Sequence, residues 1–209
     1  MPAREDRMLQ LLTGGSGMEA LGGLAALILS ILGLVGVAPR YMVSIAPIII
    51  GAAMMVSGMA AAAEFAQAAS PQERAATAEI GGGVSLEVLG GISAVVLGIL
   101  ALLNIAPQIL LPIAAIVIGA GLAFSANIPA RMAELHSGSF AGEPATSRVT
   151  GFGAGTQVLV GLSAIVLGVL ALVGIAPLVL TVVAFLSASV SLLLTGFAVG
   201  GTMTAMLSR

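Results

Sequence analysis

The chain has 209 residues, 59% of them hydrophobic and only 8% charged, with a formal net charge of −2. Soluble domains carry about 25% charged residues, so a compact chain of this composition cannot cover its surface in water, and lipid is its medium. The absence of cysteine excludes disulfides, thiolate metal sites and a cysteine nucleophile, and seven basic residues dispersed among nine acids leave no footprint for nucleic acid.

Residues 1–17 form a charged N-terminal segment containing Arg4, Glu5, Asp6 and Arg7. The apolar run from Met18 to Ala38 that follows is longer than the core of a signal peptide, about 7–15 residues. It is read as the first spanning helix. The order along the chain is then a hairpin over 18–63, a linker over 64–85, a hairpin over 86–128, a linker over 129–155 and a hairpin over 156–209. The expected spans are 18–37, 41–63, 86–105, 109–128, 156–175 and 179–206. At about 1.5 Å per residue, 20 helical residues cover the roughly 30 Å hydrocarbon core. Spans in lipid must satisfy their backbone internally, as helices or closed barrels. Unbroken apolar runs exclude barrel strands, which alternate with period two. The fold class is all-α: a polytopic membrane protein of six transmembrane helices in three tandem hairpins.

The three hairpins are copies of one another. GGLAALILSILGLVGVAP ends at Pro39, GGISAVVLGILALLNIAP at Pro107 and VGLSAIVLGVLALVGIAP at Pro177, and the three align without a gap. Glu19, Glu87 and Gln157 occupy one equivalent position. Gly51, Gly119 and Ser189 share another, and Ser57, Ser125 and Thr195 a third. Proline suits the first turn of a helix, where its missing N–H would be unpaired anyway. Pro39, Pro107 and Pro177 therefore mark tight turns and the start of each return helix. Pro47 and Pro112 are expected to bend their helices without breaking them, and Pro129 to end the fourth span.

Six arginines (Arg4, Arg7, Arg74, Arg131, Arg148, Arg209) lie beyond the spans on the side of the termini, against Arg40 alone at a hairpin tip. This bias places both termini and the long linkers in the cytoplasm. The first helix of each hairpin carries small residues in steps of three, four and three: Gly23, Ala26, Ser30 and Gly33; Gly91, Ala94, Gly98 and Ala101; Gly161, Ala164, Gly168 and Ala171. Each set lies on one helix face. Small residues let backbones approach closely, and van der Waals packing drives association in lipid. The odd-numbered helices are therefore expected to form the central contacts.

Candidate chemistry is sparse. No acid, arginine or histidine lies in the middle third of a span, where ion-coupled transporters place such groups. The single histidine, His136, falls in a linker, so bis-histidine haem ligation within the chain is excluded. No metal or cofactor is expected. Glu19 and Glu87 stabilise a positive helix N-terminus or ring a cytoplasmic pore mouth. Arg40 and Tyr41 read as an interfacial anchor at the first tip. Asn104 and Asn127 read as helix-end residues that satisfy free backbone carbonyls. Ser187, Ser191 and Thr195 share a face of the sixth span and either bond to a neighbouring helix or back to the preceding turn, or form the wall of a narrow polar path or an oligomer contact. The glycine-rich segments 81–85 and 151–155 lack the lysine of a phosphate-binding loop and read as linkers.

The segments GGISAVVLGILALLNIAPQILLPIAAIVIGA (90–120) and GLSAIVLGVLALVGIAP (161–177) resemble the short repeat of HdeD-like bacterial membrane proteins. The resemblance covers about 130 residues, and it implies three such hairpins and an association with acid resistance. Two functions are carried forward. One is a non-enzymatic structural or accessory membrane protein, embedded in membrane lipids and packing with copies of itself or a larger membrane complex. The alternative is a transporter or channel for small neutral or lipophilic solutes.

Overall fold

A computed structural model describes residues 15–68, 86–125 and 145–207. The described residues form α1 (Gly15–Val35), α2 (Pro39–Ala68), α3 (Leu86–Leu102), α4 (Pro107–Ser125), α5 (Ala145–Leu172) and α6 (Pro177–Leu207), with no strand among them. Five of these helices carry apolar stretches long enough to cross a bilayer, and α3 is a shorter apolar helix of 17 residues. The protein is thus an all-helical polytopic membrane protein. Helices α2 and α4 run unbroken through Pro47 and Pro112. Pro129 and Asn127 lie outside the described residues. Helix α5 begins at Ala145, well inside the segment read as a linker, so GFGAG (151–155) is helical. Glycine in a helix costs about 1 kcal/mol relative to alanine. That local penalty does not stop a helix that no proline interrupts.

One piece of backbone chemistry makes all three turns. Gly36, Asn104 and Gly174 take left-handed conformations, with φ of 91°, 64° and 92°. The next N–H in each copy reaches back five residues, from Val37 to the Leu32 carbonyl (3.0 Å), Ile105 to Leu100 (3.0 Å) and Ile175 to Leu170 (3.2 Å). This is a Schellman cap, which satisfies carbonyls that the helix end leaves free. The cap explains why α3 stops at Leu102, short of the expected residue 105. The alanines before the prolines, Ala38, Ala106 and Ala176, also have φ near +40°. Their carbonyls open the return helices by accepting N–H groups from Met42, Leu110 and Leu180.

The six helices close into a ring in chain order, with α6 returning to pack against α1. The even helices also touch one another, whereas the substantial contacts of each odd helix are with even ones. Ile50 and Met54 of α2, Ile118 and Leu122 of α4, and Phe185 and Leu192 of α6 fill the middle and are fully buried. The expected centre is therefore reversed: the even helices occupy it and the odd helices surround them. The physical reason is that an odd helix has one face able to approach another backbone and aliphatic side chains elsewhere. Leu24, Ile28 and Ile31 of α1, like Leu89, Ile92 and Val96 of α3, face outward.

All the small residues of the three stripes are buried; Gly33 faces Val43 of its own hairpin, and the glycines nearer the other end of each stripe join neighbouring hairpins. A Cβ at Gly91 would lie 2.5 Å from the Gly51 carbonyl oxygen, and a Cβ at Gly51 would lie 2.5 Å from that of Gly91. Gly161 and Gly119 repeat this reciprocal contact at 2.5 Å. At the third junction, a Cβ at Gly23 would meet the Leu193 nitrogen at 2.7 Å and the Ser189 oxygen at 2.9 Å. These pairs are the positions that align across the three copies in sequence. Further along, a Cβ at Gly98 would sit 2.6 Å from Ile48, and one at Gly168 would sit 2.6 Å from Ile116.

Two predictions follow from these contacts. Gly91→Ala and Gly161→Ala are each expected to destabilise the protein by about 1–3 kcal/mol through overpacking, and Gly98→Leu by more. Gly155→Ala, where the added carbon meets nothing within 4 Å, should be neutral or stabilising. Thermal unfolding in detergent, followed by helicity, ranks the four variants. The same measurement should find Asn104→Ala less stable by about 1 kcal/mol, because alanine tolerates the left-handed region poorly. Asn104→Gly should be at least as stable as the native protein.

Candidate functional site

Side chains able to bind or react are few in the spans, so a site can form only where several converge. The clearest convergence is at the end of the bundle nearer the termini. Glu87 lies in the first turn of α3 and is half-buried. Its Oε1 accepts a hydrogen bond of 2.8 Å from Ser57 Oγ on α2. The Met54 carbonyl is a second, longer neighbour of that hydroxyl at 3.2 Å. The single hydroxyl proton favours the shorter bond to the carboxylate, which is strengthened by charge. Glu19, at the equivalent position of α1, exposes only 6% of its surface.

The two acids differ in their relation to the helix ends. Stabilisation by the helix dipole falls off within the first turn. Glu87 is within that turn, but α1 has no acid in its first turn, so the dipole accounts for Glu87 and not for Glu19. The third equivalent, Gln157, is half-buried on α5. The signal for the Ser57–Glu87 pair was present in the sequence as two aligned sets, Glu19/Glu87/Gln157 and Ser57/Ser125/Thr195. Alignment alone does not say that members of different sets meet across a hairpin junction.

The polar face of α6 is buried or half-buried, but the hydroxyls of Ser187, Ser189 and Thr195 turn back on their own helix. Ser187 donates to the Ala184 carbonyl (2.9 Å) and Thr195 to that of Ser191 (2.9 Å). Ser189 does the same to Phe185 at 2.6 Å. Ser191 itself is 5% exposed. At the opposite end, Arg40 and Tyr41 are exposed on the first tip, and the Arg40 carbonyl accepts Ser44 Oγ at 2.7 Å. Asn104 contributes its backbone to the second tip, where its N–H donates to the Ala101 carbonyl.

A groove of about 270 Å³ opens at the side of the second hairpin, lined by Leu86, Leu89, Gly90, Val117, Gly121 and Phe124 among others. Its lining is apolar apart from Ser93, whose hydroxyl donates to the Leu89 carbonyl. No group of three or more histidine, aspartate or glutamate side chains among the described residues could hold a metal ion. Comparison with family models, with curated proteins and with solved structures finds no match to this chain.

The Ser57 bond can be tested directly. Ser57→Ala should lower stability by about 1 kcal/mol, the ordinary net value of a hydrogen bond. In Glu87→Gln the acceptor is retained without its charge, so adding Ser57→Ala to it should cost less than it costs the native protein. A double-mutant cycle of unfolding free energies measures the difference.

Proposed function

We propose that the protein is a non-enzymatic accessory component of a bacterial inner membrane, with both termini in the cytoplasm, that associates with copies of itself or with a larger membrane complex. The observation that carries this reading is the filled centre of the bundle. Ile50, Met54, Ile118, Leu122, Phe185 and Leu192 are buried together where a solute path would run. Packed interiors of this kind have few voids larger than water.

The small-residue stripes are already occupied inside the chain, so any partner is met through the outward aliphatic faces of α1, α3 and α5 and the exposed side of α6 around Leu194 and Phe197. Such faces suit both lipid and another helix, since association in the membrane rests on packing. The arginine bias supports the orientation. The resemblance to HdeD-like proteins adds a stress-related setting to the proposal. The transporter reading rested on Ser187, Ser191 and Thr195, and it is weakened by the bonds of Ser187 and Thr195 to their own helix.

Native mass spectrometry from mild detergent is the test. A defined oligomer or a co-purifying membrane complex is the expected result. A monomer that passes small neutral solutes in liposomes, with flux blocked by Ser191→Leu, would overturn the accessory role in favour of transport.

A further inference from the structure

The junctions between hairpins are built to one plan, so each is a control for the others. A Cβ at Gly23, Gly91 or Gly161 would meet the backbone nitrogen of Leu193, Met55 or Ala123, at 2.7, 3.0 and 2.7 Å respectively. It would meet the carbonyl oxygen of Ser189, Gly51 or Gly119 at 2.9, 2.5 and 2.5 Å. Leu193, Met55 and Ala123 are equivalent positions of the repeat, and so are Ser189, Gly51 and Gly119. The return helix therefore seats on the outgoing helix in one register at α2–α3, at α4–α5 and at the α6–α1 seam.

Within that register the seam differs in three ways. Ser189 stands where the other two junctions have glycine. Two glycines let both backbones approach, whereas Ser189 carries a side chain, and its hydroxyl bonds to Phe185 of its own helix at 2.6 Å. The second difference is a hydrogen bond. Ser57 donates across α2–α3 to Glu87 at 2.8 Å. The equivalent pair at the seam is Thr195 and Glu19, and the single hydroxyl proton of Thr195 goes to the Ser191 carbonyl at 2.9 Å. The third difference is covalent. A linker between consecutive hairpins limits how far α2 and α3, or α4 and α5, can part, but α6 and α1 are joined only through the rest of the bundle.

We propose that the α6–α1 seam is a lateral gate, opening and reclosing towards the bilayer while the two linker-joined junctions stay shut. Local opening starts where the fewest contacts hold an element in place, and all three differences fall on the same pair of helices. An open seam bares the Gly23–Ala26 face of α1 and the Ser189–Leu193 face of α6, the small-residue surface freed without breaking a linker-joined junction. The gate is independent of the accessory role, which oligomeric state and solute flux decide separately.

The test exploits the absence of native cysteine. Ala26, Ala94 and Ala164 are equivalent positions, one at each junction, and each is 0% exposed. Ala26→Cys, Ala94→Cys and Ala164→Cys are made singly in the full chain, purified in mild detergent and treated with N-ethylmaleimide. Each rate is divided by that of the same variant after denaturation, which cancels intrinsic thiol reactivity. Ala26→Cys should react about fivefold faster than the other two, the population ratio that one net hydrogen bond represents. Adding Ser189→Gly, which restores the glycine pair, should slow Ala26→Cys towards them. If the alanine variants fail to fold, the isosteric Ser189→Cys at the seam and Ser44→Cys on α2, both 0% exposed, make the same comparison, with the seam cysteine again reacting faster. Equal rates at the three junctions would overturn the gate, as would faster reaction at Ala94→Cys or Ala164→Cys, or a fast Ala26→Cys that Ser189→Gly leaves unchanged.

Discussion

Lipid gives helices little hydrophobic reason to associate, because an aliphatic side chain is as well solvated by acyl chains as by another helix. Close backbone approach has to take over that role, and here it is concentrated at Gly51 with Gly91 and Gly119 with Gly161. At these points each glycine faces the carbonyl oxygen of its partner, with no room for a methyl group. The rest of the architecture follows from them. They join return helix to outgoing helix between hairpins, so the even helices are drawn inward and their large side chains meet. The odd helices keep their aliphatic surfaces for the bilayer.

The same medium governs the polar groups. A hydroxyl in hydrocarbon must find an acceptor, and the nearest is the carbonyl one turn back. Ser30, Ser44, Thr181 and Ser189 each take it. Ser57 differs from these, because its shortest bond crosses to another helix and ends on a carboxylate. That distinction separates hydroxyls that merely tolerate the membrane from one that orders a carboxyl group on a neighbouring helix.

The sequence made the spans, the hairpins and the turns legible because each has a local cause. Apolar length meets bilayer thickness, and proline opens a helix; the left-handed caps at Gly36, Asn104 and Gly174 that end the outgoing helices came only with the structure. The burial of the Gly91–Ala101 and Gly161–Ala171 stripes was equally legible, since spacing fixes a face. Their partners were not. A small stripe says that something comes close, but whether it is another stripe or a larger neighbour depends on the shapes of all six helices. Ile48 against Gly98 and Ile116 against Gly168 show the outcome. The helical state of 151–155 was hidden for a different reason: glycine composition suggests freedom, and the helix extends through it regardless. The Ser57–Glu87 bond spans 30 residues of sequence, and only the meeting of two hairpins creates it.

The return of α6 to α1 has a consequence for biogenesis. Ribosomal synthesis delivers the hairpins one at a time, so α1 enters the bilayer long before the helix that seats Gly23 exists. Until the last hairpin arrives, one flank of the first remains exposed to lipid and to other nascent proteins. Of the six helices, α1 is thus inserted before the others and is among the last to be fully enclosed.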